Sequence, residues 1–343
     1  MIVRARAPLR LGFGGGGSDL SPYCDIYGGY VLNATIDLYA YAMIEPREDG
    51  CVEFVASDQD RRLVQPAGSP LPFDGTLDLH KGVYNRIVSG YCGGIAPAVT
   101  LTTMSDAPPG SGLGSSSTLV VAMVKAFVEW LNLPLGEYDV AHLAFEIERR
   151  DVGLAGGRQD QYAATFGGVN FMEFYAGDRV VVNPLRIKNW VISELESSTI
   201  LCFTGQSRDS ASIIDEQVRN LSSPSGMDAI ESMHRVKHEA LHMKESLLRG
   251  DFRQFVEAIN ASWLSKKQTA HSISNDRIEM LASTGLAAGA AAVKVSGAGG
   301  GGFMMFFADP SRRMAVVRAL RAHGTETLTC HFTKHGTEGW KIF

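Results

Sequence analysis

Hydrophobic and polar positions alternate through the first 60 residues in the manner of β-strands. Apolar side chains occupy every second position near the N-terminus, and β-branched and aromatic residues dominate the segments that follow. The pattern predicts strands at 2–11, 30–36, 39–44 and 51–55.

Further along, apolar residues recur at helical spacing, and short β-rich runs separate the helical segments. This periodicity predicts helices at 77–91, 119–131 and 140–150. It predicts strands at 98–102, 169–174 and 180–182. Gly167 and Gly168 introduce the last strand pair, because glycine commonly marks the start of a turn or strand.

The C-terminal part mixes strands and helices again. A strand at 199–203 precedes mostly helical sequence to about residue 286, and a strand-strand-helix-strand tail follows at 291–295, 303–307, 312–322 and 325–332. Pro184 and the polar run 194–198 indicate a linker, so we expect domains at 1–190 and 191–343. Strands and helices in each half predict an α+β fold of two domains with a cleft between them.

Composition narrows the function classes. The 343 residues carry a net charge of −5, which argues against nucleic acid or an anionic membrane as a partner. The five cysteines are odd in number and form no Cys-x-x-Cys pair, so they indicate reduced thiols and not a disulfide framework. The N-terminus continues into a strand, and no apolar run reaches membrane-spanning length. We expect a cytoplasmic protein, and the sequence leaves a homodimer open.

The most informative segment is 108–117, Pro-Pro-Gly-Ser-Gly-Leu-Gly-Ser-Ser-Ser, which leads directly into a helical stripe. Glycine lets a ligand approach the backbone N–H groups, and a helix start adds unpaired donors and a positive dipole end. The loop therefore suits a phosphate chain, and its serines suit a helix cap or a metal ion. No Gly-Lys-Ser/Thr follows, so it is not a Walker loop. A turn that serves packing alone is the alternative.

A second glycine run, 12–17, permits a different function. Gly12, Gly14 and Gly17 match the dinucleotide pattern after a strand, and Asp37 lies about 20 residues on. This run would make the chain an NAD(P)-dependent oxidoreductase. Segment 18–29 argues against it, because Pro22 and two glycines leave no apolar stripe for a pyrophosphate-binding helix.

Segment 108–117 resembles the second motif of the small-molecule kinases that include galactokinase, homoserine kinase, mevalonate kinase and phosphomevalonate kinase. Segment 293–303 resembles the third motif of this superfamily, and 156–161 resembles the segment with its catalytic aspartate. Arg10 and Asp19 stand nine positions apart, as in the sugar-binding motif of galactokinases. The Glu-His pair of galactokinases is missing between them, and 14–37 looks more like the branch of heptose 7-phosphate kinases and fucokinases.

The resemblance implies a role for each matched position. The residues expected to bind the nucleotide are Pro109, Gly110, Ser111, Gly112, Leu113, Gly114, Ser115, Ser116 and Ser117. Those expected to act in catalysis are Asp160 as base and Arg10 beside the reacting oxygen, with Ser116 and Glu148 as magnesium ligands. Those expected to contact the acceptor are Gly15, Gly16, Ser18, Asp19, Gly299 and Gly300. Arg208, Lys266 and Lys267 match no motif; as cations in polar settings they are candidates for contact with a substrate phosphate, and solvated surface is the alternative. Glu146 is the nearest competitor of Glu148.

The resemblance also implies a fold and a reaction. The N-terminal half would have the β-α-β topology of ribosomal protein S5, and the C-terminal half would be ferredoxin-like. The reaction would be ATP- and Mg²⁺-dependent phosphorylation of the anomeric hydroxyl of a manno-heptose 7-phosphate, for synthesis of a nucleotide-activated heptose. Fucokinase or another sugar 1-kinase remains open, as do the oxidoreductase and a sugar-phosphate-binding protein without catalysis. We also expect a side chain at Gly112 to weaken ATP binding with little effect on folding.

Three histidines, His234, His238 and His242, repeat every four residues along a predicted helix. This spacing could hold a metal ion. A half-exposed helical stripe explains it more simply.

Overall fold

The computed structural model describes residues 1–206, 210–223 and 226–342. Its strands form two sheets, of eight and of four strands. The eight strands of the first sheet are β1 (Ile2–Gly14), β2 (Gly29–Pro46), β3 (Cys51–Ala56), β4 (Arg61–Pro66), β5 (Val99–Ser105), β6 (Val169–Phe174), β7 (Val180–Pro184) and β12 (Glu338–Ile342). The four strands of the second sheet are β8 (Thr199–Phe203), β9 (Ala290–Val295), β10 (Phe303–Ala308) and β11 (Glu326–Thr329).

Helices fill the connections between these strands. The helices before β8 are α1 (Tyr23–Tyr27), α2 (Asp78–Tyr91), α3 (Ser115–Leu131), α4 (Glu137–Phe145), α5 (Gln159–Phe166) and α6 (Asn189–Ser198). Those after β8 are α7 (Ser210–Ser222), α8 (Met227–Arg249), α9 (Phe252–Lys267), α10 (Asp276–Ala287) and α11 (Pro310–Arg321). None of the helices in the described ranges is long and apolar enough to cross a bilayer.

The first sheet is organised around β2, which is long enough to pair with three strands. It pairs antiparallel with β1 along one edge and with β5 and β6 in succession along the other. The register against β1 shifts between Pro8 and Arg10, where β2 carries extra residues. Such irregularities bend a strand and redirect its side chains. The alternation predicted separate strands at 30–36 and 39–44. The structure joins them in the single strand β2, and the register shift lies at their junction.

The second sheet has the strand order β11-β8-β10-β9, and every pair is antiparallel. Helices connect β8 to β9 and β10 to β11, which is the β-α-β-β-α-β arrangement of a ferredoxin-like unit. The α+β class and the ferredoxin-like C-terminal half are confirmed.

Phe13, near the end of β1, packs in the core shared by the two sheets. Its ring lies 5.6 Å from Phe255 of α9 and 6.4 Å from Phe307 of β10. A separate core lies under α3, whose residues are buried along most of its length against β1 and β2. The end of β1 is therefore held from both halves of the chain, and this is where the cavity described below opens.

Several elements depart from the sequence prediction, among them the short helix α1. The segment assigned to a linker contains α6, and β4 was not predicted. The last predicted strand is short, and Phe332 makes only an isolated bridge to Ile36. Beyond it, β12 pairs with β1, so the chain returns to the first sheet. The division into 1–190 and 191–343 stays a proposal, and β12 lies in the sheet of the N-terminal part.

Candidate active site

A cavity of about 450 Å³ opens where the end of β1 meets the loop before α3, the start of α5 and the helices α7 and α9. Residues from the segments singled out in the sequence line it together. Among them are Arg10, Gly12, Gly16, Gly17, Asp19, Pro109, Gly110, Gly112, Gly114, Ser115, Ser116, Ser117, Glu148, Asp160, Lys266 and Gly297. Positions more than 250 residues apart in sequence thus share one site.

Arg10 and Asp160 form a two-pronged ion pair in this cavity. Nε of Arg10 donates to Oδ1 of Asp160 at 2.7 Å, and Nη2 donates to Oδ2 at 2.9 Å. The third guanidinium nitrogen, Nη1, donates to the carbonyl of Gly112 at 2.5 Å. The arginine side chain is buried, whereas that of Asp160 is 18% exposed. The pair therefore fixes the carboxylate while leaving one side of it open to the cavity.

Asp19 follows the first glycine run, and its carboxylate lies against the N-terminus of α5. The sequence predicted that Asp19 contacts the substrate. Its carboxylate accepts N–H bonds from the backbones of Gly17, Arg158 and Gln159 and from the side-chain amide of Gln159, all between 3.0 and 3.1 Å. A carboxylate has about four acceptor positions, so the protein itself occupies them. A sugar hydroxyl would have to displace one of these donors. Asp19 caps α5 from another segment, and Asp160 is the second residue of that helix.

The loop before α3 brings the helix N-terminus to the cavity as predicted. Gly110, Gly112 and Gly114 all have left-handed backbones, with φ between 72° and 78°. The first N–H groups of a helix have no partner within it, and here the residues that carry them line the cavity. Ser111 and Leu113 are exceptions: they are buried, do not line the cavity, and donate their N–H groups within the loop to Pro108 and Ser111. The predicted phosphate cradle therefore excludes these two amides.

The first glycine run and the residues after it also include some positions that line the cavity and others that do not. Gly16 and Asp19 line the cavity, but Gly15 and Ser18 do not. A Cβ on Gly15 would lie 1.7 Å from the carbonyl oxygen of Tyr30, and the Ser18 hydroxyl donates to that same carbonyl at 3.0 Å. Their expected contact with substrate is not supported, because both hold the β1–β2 connection.

The third motif reaches the cavity through Gly297 and Ala298, not through the predicted Gly299 and Gly300. Gly300 donates its N–H to the carbonyl of Ile273 at 2.8 Å, and a Cβ on Gly299 would lie 2.8 Å from the same oxygen. These two glycines permit a close backbone approach to the short 3₁₀ turn His271–Ile273. The structure therefore does not support the expected substrate contact of Gly299 and Gly300, because the cavity is lined by Gly297 and Ala298 instead.

Glu148 lies on a π-helical turn, Glu146–Asp151, that continues α4. Such turns are frequent at functional sites because they redirect side chains. The Glu148 carboxylate is buried, with Oε1 accepting from the Ser116 hydroxyl and Oε2 from the Gln161 amide at 2.7 Å. Glu146 instead pairs with Arg86 and Arg150, and it does not line the cavity. The structure thus separates the two glutamates that the sequence left in competition.

Four residues that line the cavity carried little or no signal in the sequence. Arg149 lies 3.3 Å from Glu148 and donates to the carbonyl groups of the 154–157 loop. Lys294 donates to the carbonyls of Gly12 at 2.8 Å and Phe13 at 2.6 Å, and burial lowers its pKa well below the usual value. Gln159 and Gln217 complete the set. Gln159 and Lys294 lie within segments 156–161 and 293–303, but neither side chain was assigned a role there.

The remaining predictions concern Arg208 and the histidines of α8. Arg208 is outside the described residues. On the exposed side of α8, the ligand atoms of His238, Glu239 and His242 lie within 4.8 Å of one another, and none of these residues lines the cavity. His234 accepts or donates a bond to the Tyr23 hydroxyl at 2.6 Å.

Two family models match different parts of the chain. The model described as "GHMP kinases N terminal domain" matches residues 78–168, and "GHMP kinases C terminal" matches residues 243–326. A D-glycero-alpha-D-manno-heptose 7-phosphate kinase of Campylobacter jejuni is 48% identical over 340 residues, covering 99% of both chains. The chain belongs to the GHMP kinase family.

Two further relatives of this GHMP kinase bear on its fold and its acceptor. The crystal structure of a D-glycero-D-manno-heptose 1-phosphate kinase from Bacteroides thetaiotaomicron superposes with a TM-score of 0.85 at 46% identity, covering 99% of both chains. A bifunctional fucokinase/GDP-fucose pyrophosphorylase of Arabidopsis thaliana is 26% identical, over 92% of this chain and 31% of that protein.

Membership of this family makes the chain a phosphotransferase with an alcohol group as acceptor and ATP as donor. The oxidoreductase alternative is wrong on structural grounds as well. The glycine run ends a strand that pairs only antiparallel, and the helix after it has five residues. A dinucleotide site needs a parallel strand leading into a full helix.

A substitution at Gly112 tests whether two glycine loops, the one before α3 (108–114) and the one between β9 and β10 (296–302), depend on each other for their packing. A Cβ there would lie 2.6 Å from the carbonyl oxygen of Ser296, and its φ is +78°. The earlier expectation of little effect on folding is therefore wrong. We predict that Gly112→Ala lowers the free energy of unfolding in urea by at least 1–2 kcal/mol more than a matched control, because backbone must move.

The control is Gly50→Ala, since Gly50 has a similar φ of +72° and no atom within 4 Å of the added Cβ. It should cost only the strain of a left-handed backbone, roughly 1–2 kcal/mol. Equal losses in the two variants would contradict the packing of the loops against each other.

Proposed function

We propose that this GHMP kinase transfers the γ-phosphate of ATP to the anomeric hydroxyl of a manno-heptose 7-phosphate and releases a heptose 1,7-bisphosphate. The observation that carries the proposal is the Asp160–Arg10 pair. It lies in the cavity between the α3 N-terminus, which suits a triphosphate, and the open backbone of Gly16, which suits an acceptor.

Asp160 would accept a hydrogen bond from the acceptor hydroxyl and take its proton during transfer. Arg10 uses two nitrogens on the carboxylate, and this two-pronged contact holds the carboxylate in one orientation. Phosphoryl transfer passes through a loose transition state, so orienting the hydroxyl matters more than removing its proton early. Arg10 acts through Asp160 and is a positioning residue in this account.

The α3 N-terminus and the amides of Gly112, Gly114, Ser115 and Ser116 would receive the phosphates of ATP. Magnesium fits beside them, because the Ser116 hydroxyl and the buried Glu148 carboxylate already bring two oxygens together. Gln161 holds the second carboxylate oxygen in place. When bound, the ion would neutralise charge on the phosphates. Arg149 beside Glu148 supplies positive charge at the same end of the cavity.

The acceptor is inferred from the two relatives that match the whole chain at 46–48% identity. The name of the Campylobacter jejuni relative places a phosphate on position 7 of a manno-heptose, and that of the Bacteroides thetaiotaomicron structure concerns position 1. A transfer to the anomeric oxygen of a 7-phosphate connects both positions. The fucokinase relative is more distant, so a fucose-type acceptor is the second candidate.

A cytoplasmic location and a sugar phosphate as the partner belong to the same proposal. All five cysteines are free thiols in the structure, three of them buried, as suits a reducing compartment. This is also where ATP is available to a kinase.

The proposal is tested by ADP release with Mg-ATP against a panel of acceptors. The panel contains manno-heptose 7-phosphate, the unphosphorylated heptose, fucose, galactose, mannose and mevalonate. We predict that manno-heptose 7-phosphate gives the highest kcat/KM, and that ³¹P NMR shows a new phosphate on the anomeric carbon. Preferred turnover of fucose or another free sugar would overturn the acceptor while keeping the kinase reaction.

The magnesium assignment predicts a difference between two glutamates on one helical turn. Glu148→Gln should raise the Mg²⁺ concentration for half-maximal activity by about 10–100-fold, as loss of a carboxylate near a metal commonly does. Glu146→Gln is the matched control and should leave it within about twofold, because Glu146 pairs with Arg86 and Arg150 outside the cavity. An equal shift in both variants, or none in Glu148→Gln, would remove Glu148 from the metal site.

A further inference from the structure

Lys266 is a buried cation in the cavity that the reaction described above does not use. It lies in the last turn of α9, only 6% exposed, and lines the cavity. Its Nζ donates to the carbonyl of Gly297 at 2.7 Å. An ammonium has three N–H donors, so this bond leaves two of them for other partners.

The charge of Lys266 has no counterion in contact with it. In the described part of the chain it forms no salt bridge, although Asp19 and Asp160 act on it from a distance. Asp160 is paired with Arg10, and four N–H groups occupy Asp19. Burial of a charge without a paired partner is costly, so a bound anion would stabilise this arrangement.

Two side-chain amides line the same cavity as Lys266. A Cβ on Gly16 would lie 3.5 Å from Nε2 of Gln159 and 3.6 Å from Nζ of Lys266, so glycine there keeps the space between these two nitrogens free of a side chain. A Cβ on Gly17 would lie 3.6 Å from Nε2 of Gln217 and 3.0 Å from the methyl group of Met233.

The two amide nitrogens have hydrogen-bonding capacity left. Gln159 uses one N–H on Asp19 at 3.0 Å, and Gln217 uses one on the Thr269 hydroxyl at 2.8 Å. Each amide carries two N–H groups, so each retains one as far as the described residues go. The Lys266 ammonium and the Gln159 amide beside Gly16, with the Gln217 amide in the same cavity, form a donor set suited to phosphate oxygens.

We propose that Lys266, with Gln159 and Gln217, binds the phosphate group that the acceptor already carries. This rests on the proposed function, in which the acceptor is a phosphorylated sugar. Gln159 lies on α5 and Lys266 on α9, whereas the proposed magnesium ligands Ser116 and Glu148 lie on α3 and on the turn after α4. The sequence could not single out Lys266, because Lys267 beside it has the same chemistry.

The test compares two acceptors that differ only in the phosphate. Lys266→Met should raise KM for manno-heptose 7-phosphate by about 10–100-fold, since bonds to a charged group contribute about 1.5–3 kcal/mol. It should change KM for the unphosphorylated heptose and for ATP by less than about threefold. Parallel losses with both acceptors would overturn the subsite and place Lys266 on the sugar or on the transferred phosphate.

Lys267→Met is the matched control. Lys267 is its neighbour on α9 but pairs with Glu279 at 2.9 Å and lies against the ring of Trp263. It should leave both acceptors at wild-type KM. Gly16→Ala provides a second variant that keeps Lys266 in place, because its methyl group would fill the gap between Gln159 and Lys266. It too should raise KM for the phosphorylated acceptor selectively, and a wild-type KM in this variant would overturn the subsite.

The pH dependence gives an independent readout. Burial lowers the pKa of Lys266 to about 8. Asp19 and Asp160 oppose this shift, whereas Arg10 adds to it, and Lys294 is also close enough to interact with Lys266. Since the protonated form would bind the phosphate, KM for manno-heptose 7-phosphate should rise between pH 7 and pH 9. In Lys266→Arg the rise should disappear, because arginine stays charged. A rise that persists in Lys266→Arg would contradict the assignment.

If the wild-type protein turns over neither heptose, the proposed function fails, and calorimetry still decides the subsite. Titration of manno-heptose 7-phosphate into the wild-type and Lys266→Met proteins should show binding that the variant loses. Equal binding in both, or binding in neither, would overturn the subsite.

Discussion

The site depends on one guanidinium, that of Arg10. It sits on β1 just after the register shift against β2, and it holds the Asp160 carboxylate on α5 and the Gly112 carbonyl on the loop before α3. Its own backbone N–H donates to Leu113 at 3.0 Å. A strand, a glycine loop and a helix start are thus joined at a single residue. Lysine could not replace it, because only the planar fork reaches all three acceptors.

Contact between the two glycine loops is the second constraint. The Ser296 hydroxyl donates to the Gly112 carbonyl at 2.9 Å, and the Phe303 N–H donates to the Ser111 carbonyl at 2.8 Å. A Cβ on Gly302 would lie 2.4 Å from the Ser111 oxygen. Many glycines in these motifs therefore permit backbone to pack on backbone, and only some of them face a ligand. The C-terminal half thereby shapes the nucleotide loop of the N-terminal half.

Local patterns predicted most of the strands and helices, because alternation and helical spacing record which face is buried. The motifs also indicated that Arg10, Glu148 and Asp160 share one site. Long-range strand pairing could not be predicted from the sequence, because nothing local in 338–342 requires β12 to pair with β1. Gly15 and Gly16 could not be told apart either, because one is confined by the Tyr30 carbonyl and the other faces open space between two nitrogens. Such differences arise from tertiary contacts that a run of identical residues does not reveal.

We propose that Arg10 acts on the reaction by holding Asp160. A double-mutant cycle on kcat tests it directly, with Arg10→Lys, Asp160→Asn and the combined variant. Asp160→Asn should lose about 10²–10⁴ in kcat while retaining ATP binding, the usual range for a general base. The combined variant should be within about threefold of Asp160→Asn alone, because residues that act as a unit are not additive. Losses that multiply, or near-normal turnover in Asp160→Asn, would contradict the account.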